Sequence, residues 1–172
     1  MFLNYIKELS VKKTVKNSLL NVKSSLDSGT INNIGLLIDE SYFSEINLLV
    51  DELRSKGILA TNIEVIVYRD RLKKNKSISQ ATFSSKDLNW NATINSEVVN
   101  DFVSKEFDLL ISYYDVEKAI LLLLTKDSKA RFKVGFSSID KRLNDLMINT
   151  NAENYKVFTH ELFRYLKILN KI

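Results

Sequence analysis

The stretch FDLLISYYDVEKAILLLLTKDSKARFKVGF, residues 107–136, decides the fold. Phe107–Ser112 is a short apolar run of the kind that a strand covered on both faces requires. Val116–Leu124 is too long and too rich in leucine for a strand and reads as a largely buried helix. Arg131–Phe136 sets Phe132, Val134 and Phe136 in alternation with Lys133, the period of a half-buried strand. Strand, helix and strand in that order make one right-handed crossover unit of a mostly parallel sheet.

The same logic extends outward. Ile34–Ile38 (IGLLI) is a first buried strand, followed by a helix over Tyr42–Lys56 with Phe43, Ile46, Leu49, Val50 and Leu53 on one face. Gly57 stands where a left-handed C-terminal cap is wanted. Ile63–Tyr68 alternates as a second strand, and Ala81–Ser85 is a short edge strand. Asn95 or Ser96 caps a helix over Glu97–Lys105, which leads into Phe107. Beyond Phe136, Leu146–Ile148 is a last short strand, too close for a helical crossover, so an antiparallel or coil-connected edge is expected. A helix over Glu153–Asn170 packs Tyr155, Phe158, Leu162, Tyr165, Leu166 and Leu169 on the sheet. The expected fold is therefore α/β, a Rossmann-like three-layer sandwich with a mostly parallel sheet of about five or six strands. Residues 30–172 read as one α/β domain behind a basic helical segment, residues 1–29.

Composition narrows the chemistry. The 172 residues include no cysteine, which excludes disulfides, thiolate metal sites and cysteine nucleophiles. The single histidine, His160, excludes a multi-histidine metal site and falls on the outer face of the last helix. No metal or other cofactor is expected. No apolar run approaches the length of a membrane span, and the N-terminus lacks the order of a signal peptide, so a cytoplasmic location is expected.

The net charge of +4 is unevenly placed. Residues 1–23 hold Lys7, Lys12, Lys13, Lys16 and Lys23 against Glu8 alone, and the remaining residues balance. Phe2, Ile6 and Leu9 form one apolar stripe; Val11, Val15, Leu19, Val22 and Leu26 form a second, out of phase, with Ser10 placed to cap the second segment. Lys12, Lys16 and Lys23 flank that second stripe. Such a segment is either a basic amphipathic arm for RNA or an anionic membrane, or a packed helix with a solvated lysine edge. Its Val and Leu face, without Trp, favours packing. A second basic cluster, Arg69, Arg71, Lys73, Lys74 and Lys76 against Asp70 alone, follows the second strand.

Open α/β sheets take ligands outside the carboxyl ends of their strands, near the switch point. That edge carries Asp39 and Ser41 after the first strand and Tyr113, Tyr114 and Asp115 after the fourth. Asp39 and Asp115 form either a carboxylate pair or two helix caps. A dinucleotide site needs glycines at the first turn, but that turn is Asp39-Glu40-Ser41, whose carboxylates repel phosphate. GxxxxGK[ST] and GxSxG are both absent, so no catalytic constellation is assembled.

The segments IGLLID, SSKDLNW, FDLLIS, KARFKVG and DLMI together resemble an uncharacterised family of small α/β proteins from flavobacteria and their relatives. That resemblance implies a cytosolic α/β protein and supplies no catalytic residues. Within it, Lys86, Asp87, Asn89 and Trp90 read as a surface recognition element, or Trp90 as a plug over the sheet edge. The FDLLIS…KARFKVGF unit is also similar to the N-terminal half of heptosyltransferase-type glycosyltransferases, though the chain lacks their second domain and a glycine turn. Two functions follow as expectations. One is a non-enzymatic binding or scaffold protein holding RNA, the ribosome or an acidic protein through Lys12, Lys13, Lys16, Lys23, Arg69, Arg71, Lys73, Lys74 and Lys76. The other is a small-molecule enzyme or sugar- or nucleotide-related ligand-binder at Asp39, Ser41, Tyr113 and Asp115.

Overall fold

Six strands form one sheet in the order β3-β2-β1-β4-β5-β6. They are β1 (Ile34–Asp39), β2 (Ile63–Tyr68), β3 (Ala81–Phe83), β4 (Leu109–Tyr113), β5 (Phe132–Phe136) and β6 (Leu146–Ile148), in a computed structural model that describes residues 2–19, 29–70 and 80–172. Every pairing is parallel. β1 and β4 are buried along their whole length, which is why they read as unbroken apolar runs. The strand order reverses between β1 and β4, and that boundary is the switch point of the sheet.

β6 decides between the two expected alternatives: its edge is coil-connected, and it runs parallel to β5 rather than antiparallel. The coil is held by side chains: Asp140 accepts from Arg142 Nε at 2.9 Å and Nη2 at 2.6 Å, while the Asp140 N–H donates to Glu117 Oε1.

Helices α1 (Phe2–Ser18) and α3 (Glu97–Ser104) each contact α4 (Ala119–Asp127), and α2 (Ile46–Ser55) contacts α5 (Tyr155–Ile168), giving three layers. α4 is buried from Ala119 to Thr125, as its leucine run requires, because α1 covers it from outside. α1 runs without a break through Ser10, so Ser10 caps nothing. α2 starts at Ile46 rather than Tyr42, because the Tyr42 and Phe43 N–H groups both turn back to the Asp39 carbonyl. α4 likewise starts three residues later than the apolar run suggests. Gly57 takes φ +99°, the left-handed cap expected of it. On α5, Thr159 and Phe163 are buried, whereas Leu169, just past its end, is 41% exposed.

Candidate functional site

The carboxyl end of β1 leads into a tight turn in which the Ser41 N–H donates to Asp39 Oδ1 at 3.0 Å. This contact, not a helix cap, holds the Asp39 carboxylate, which is 1% exposed. Across the switch point, Lys118 precedes α4 and reaches back to the same place. Its ammonium lies 2.8 Å from Asp39 Oδ2, 3.0 Å from Ser41 Oγ and 3.1 Å from Asp70 Oδ1. It also sits 4.4 Å from the centre of the Tyr68 ring and 5.0 Å from that of Tyr42, within cation–π range.

Asp70 closes the cluster from the solvent side. Tyr68 donates to Asp70 Oδ1 at 2.9 Å. Burial pushes the Asp70 carboxyl up, but hydrogen bonds from Ser41, Tyr68 and Lys118 outweigh it and hold the group below its ordinary range. Burial, reinforced by Asp70, pushes the Tyr68 phenol well above its ordinary range. Next to them Arg69 forms a two-pronged ion pair with Glu40.

The other expected edge residues turn inward. Tyr113 is fully buried among Phe43, Phe136 and Phe158 and donates to the Ala152 carbonyl at 2.7 Å. Tyr114 is buried too and shares a hydrogen bond with Thr125 at 2.7 Å. Neither ring can stack on a ligand in this arrangement. Asp115 accepts from the Ala152 N–H at 2.8 Å, so it ties the α5 approach to the end of β4 and caps no helix. Asp39 and Asp115 therefore serve different partners.

The N-terminal lysines are engaged with the body of the protein. Lys7 donates to the Leu88 carbonyl at 2.8 Å, Lys12 to the Glu117 carbonyl at 2.8 Å, and Lys16 to Glu117 Oε2 at 2.8 Å. Glu8 on the same helix accepts from the Ala119 N–H at 3.1 Å, supplying the α4 cap that Lys118 cannot. Lys13 is exposed. Lys23, Arg71, Lys73, Lys74 and Lys76 lie outside the described residues. A groove of about 320 Å³ lies at the opposite, amino edge between Asn33, Asn62, Glu64, Lys105 and Phe107, and Lys105 pairs with Glu64 across it. It contains none of the expected ligand residues.

A family model described as a family of unknown function (DUF6913) matches residues 7–169, from the second turn of α1 to the end of α5. The chain belongs to the DUF6913 family. No curated protein and no solved structure matches it. The match takes in α1 from Lys7 onward, so most of that helix lies within the family's span.

In this DUF6913 chain the Lys86–Trp90 element divides. Asp87 is structural: Ser84 and Asp87 form a reciprocal capping box around the turn at Ser85–Asp87. Asn89 closes the next loop, its side chain donating to Thr93 Oγ1 at 3.0 Å, and a bridge between Leu88 and Ile94 pins the loop ends. Trp90, at the tip, is 55% exposed and does not plug the sheet edge. Lys86 is exposed as well. The residue that sequence reasoning missed is Lys118. It was hidden because Val116–Leu124 reads as one helix, whereas the helix begins after it.

Proposed function

We propose that this DUF6913 chain is a non-enzymatic binding or scaffold protein that holds an anionic partner such as RNA, the ribosome or an acidic protein. The observation that carries this is the run Arg71, Lys73, Lys74 and Lys76, which follows the carboxyl end of β2 with no acidic residue among them. A basic run of this kind suits phosphate contacts. Lys12 and Lys16, engaged with Glu117, take a lesser part. Retention on RNA at low and high salt tests it. The wild type is retained at low salt and released at high salt. A Lys73→Glu/Lys74→Glu/Lys76→Glu variant loses retention, while Lys13→Glu loses less. Weak or salt-insensitive retention, equal in all three proteins, refutes the reading.

The Lys118 cluster favours an alternative, a small-molecule ligand-binder or enzyme at the carboxyl edge, where the similarity to the first half of heptosyltransferases would also point. Its support is a buried carboxylate paired to a lysine between two tyrosines at the switch point. A thermal-shift screen with nucleotides and sugar nucleotides tests it. Stabilisation that disappears in Ser41→Ala supports it, and no shift with any compound removes it.

A further inference from the structure

α1 carries two apolar stripes, and only one of them is covered. Val11, Val15 and Leu19 recur every four residues and are buried. Leu3, Ile6 and Leu9 recur every three residues and are 68%, 38% and 49% exposed. At about 100° per residue the two sets centre roughly 180° apart, so the exposed stripe faces straight out from the body. Tyr5 stands exposed beside it.

The Trp90 loop is fixed to the same end of the helix. Lys7 clamps it, through the Leu88 carbonyl at 2.8 Å and the Ser85 carbonyl at 3.5 Å. Ala92, two residues past Trp90, is held at φ 57°, so the loop presents the indole from a constrained backbone.

On α1 and the Trp90 loop themselves the exposed charge has one sign. Glu8 is the sole acidic residue between positions 2 and 19, and it points inward to the Ala119 N–H. Asp87 is closed in its capping box. Lys13 and Lys86 stay exposed.

We propose that the outer face of α1 and the Trp90 loop dock on the surface of an anionic phospholipid bilayer. Projecting leucines, a tryptophan at headgroup depth and flanking lysines without carboxylates are what an interfacial anchor needs. The face is convex, with side chains standing out of it, so it fits a fluid apolar medium better than a shaped protein groove. A twofold pairing with a second copy would bring two positive faces together with no carboxylate to offset them. This inference shares only Lys13 with the polyanion reading and does not depend on it.

Trp90 is the chain's single tryptophan, so its fluorescence reports the contact directly. The full chain is mixed with vesicles of phosphatidylcholine alone, or of phosphatidylcholine with phosphatidylglycerol. The expected result is a blue shift of emission and co-sedimentation with the mixed vesicles only, both reduced by high salt. A Leu3→Glu/Leu9→Glu variant, with unchanged thermal melting, loses vesicle affinity about tenfold or more, the loss expected from one unburied leucine. Three results overturn the proposal. They are no emission shift with either vesicle, equal binding by wild type and variant, or a dimer in sedimentation that the variant dissociates. RNA retention on the same preparations separates failure here from failure of the polyanion reading.

Discussion

Lys118 links a carboxylate that is almost wholly buried, Asp39, to one near the surface, Asp70. Removing one partner of a buried ion pair strands the other, which costs more than the pair contributes. Lys118→Met is therefore expected to lower stability by about 3 kcal/mol. Asp39→Asn/Lys118→Met should recover much of that loss, and urea unfolding of both variants checks the order. Equal stability of Lys118→Met and the wild type would show that Asp39 needs no counter-charge. Gly35 illustrates a different constraint. A Cβ there would sit 2.7 Å from the Phe107 ring, itself packed on Phe102. Gly35→Ala should cost about 1–3 kcal/mol as an overpacked core position, and Phe107→Leu in the same chain should relieve part of it. Gly35 reads in the sequence only as a glycine inside a strand. Its reason lies 72 residues away, which no local pattern records.

Elements were legible where burial wrote a pattern into them. β1, β2, β4 and β5 follow from apolar runs or alternation, and α3 from its spacing. The starts of α2 and α4 were not, because turn contacts decide them: the Asp39 carbonyl delays α2, and Glu8 from another helix caps α4. The direction of β6 was illegible for a similar reason. Its coil connection depends on Asp140, Arg142 and Glu117, none of which stands out as structural in the sequence. That coil should be acid-sensitive. Hydrogen bonds from Arg142, together with its charge, hold the Asp140 carboxyl at about 2, against 3.8 for an ordinary aspartate. A depressed folded-state value means the contribution is complete above pH 3.8 and is lost as the pH falls through about 2. Denaturation across that range should show a steeper acid loss in the wild type than in Asp140→Asn. Parallel curves would place the acid sensitivity elsewhere.

At the scale of the whole molecule, the division into a helical segment, 1–29, and an α/β domain, 30–172, becomes a question about what α1 does. The sequence shows two out-of-phase stripes and a set of lysines, and both packing and an anionic partner are consistent with that. The structure places one stripe on α4 and connects three lysines to Leu88 and Glu117. A chain lacking residues 1–29 would keep the sheet but expose the outer side of α4, an almost entirely apolar helix. Burial of Val11, Val15 and Leu19 contributes at most on the order of 9 kcal/mol, an upper estimate because the unfolded chain already buries some of that surface. The truncated chain is expected to retain a cooperative transition at a clearly lower temperature and to aggregate as α4 becomes accessible. Glu8→Ala, which removes only the α4 cap, should reproduce about 1 kcal/mol of that loss without aggregation. Calorimetry of the three proteins decides it. If the truncated chain melts at the wild-type temperature, α1 is held by the domain without supporting it.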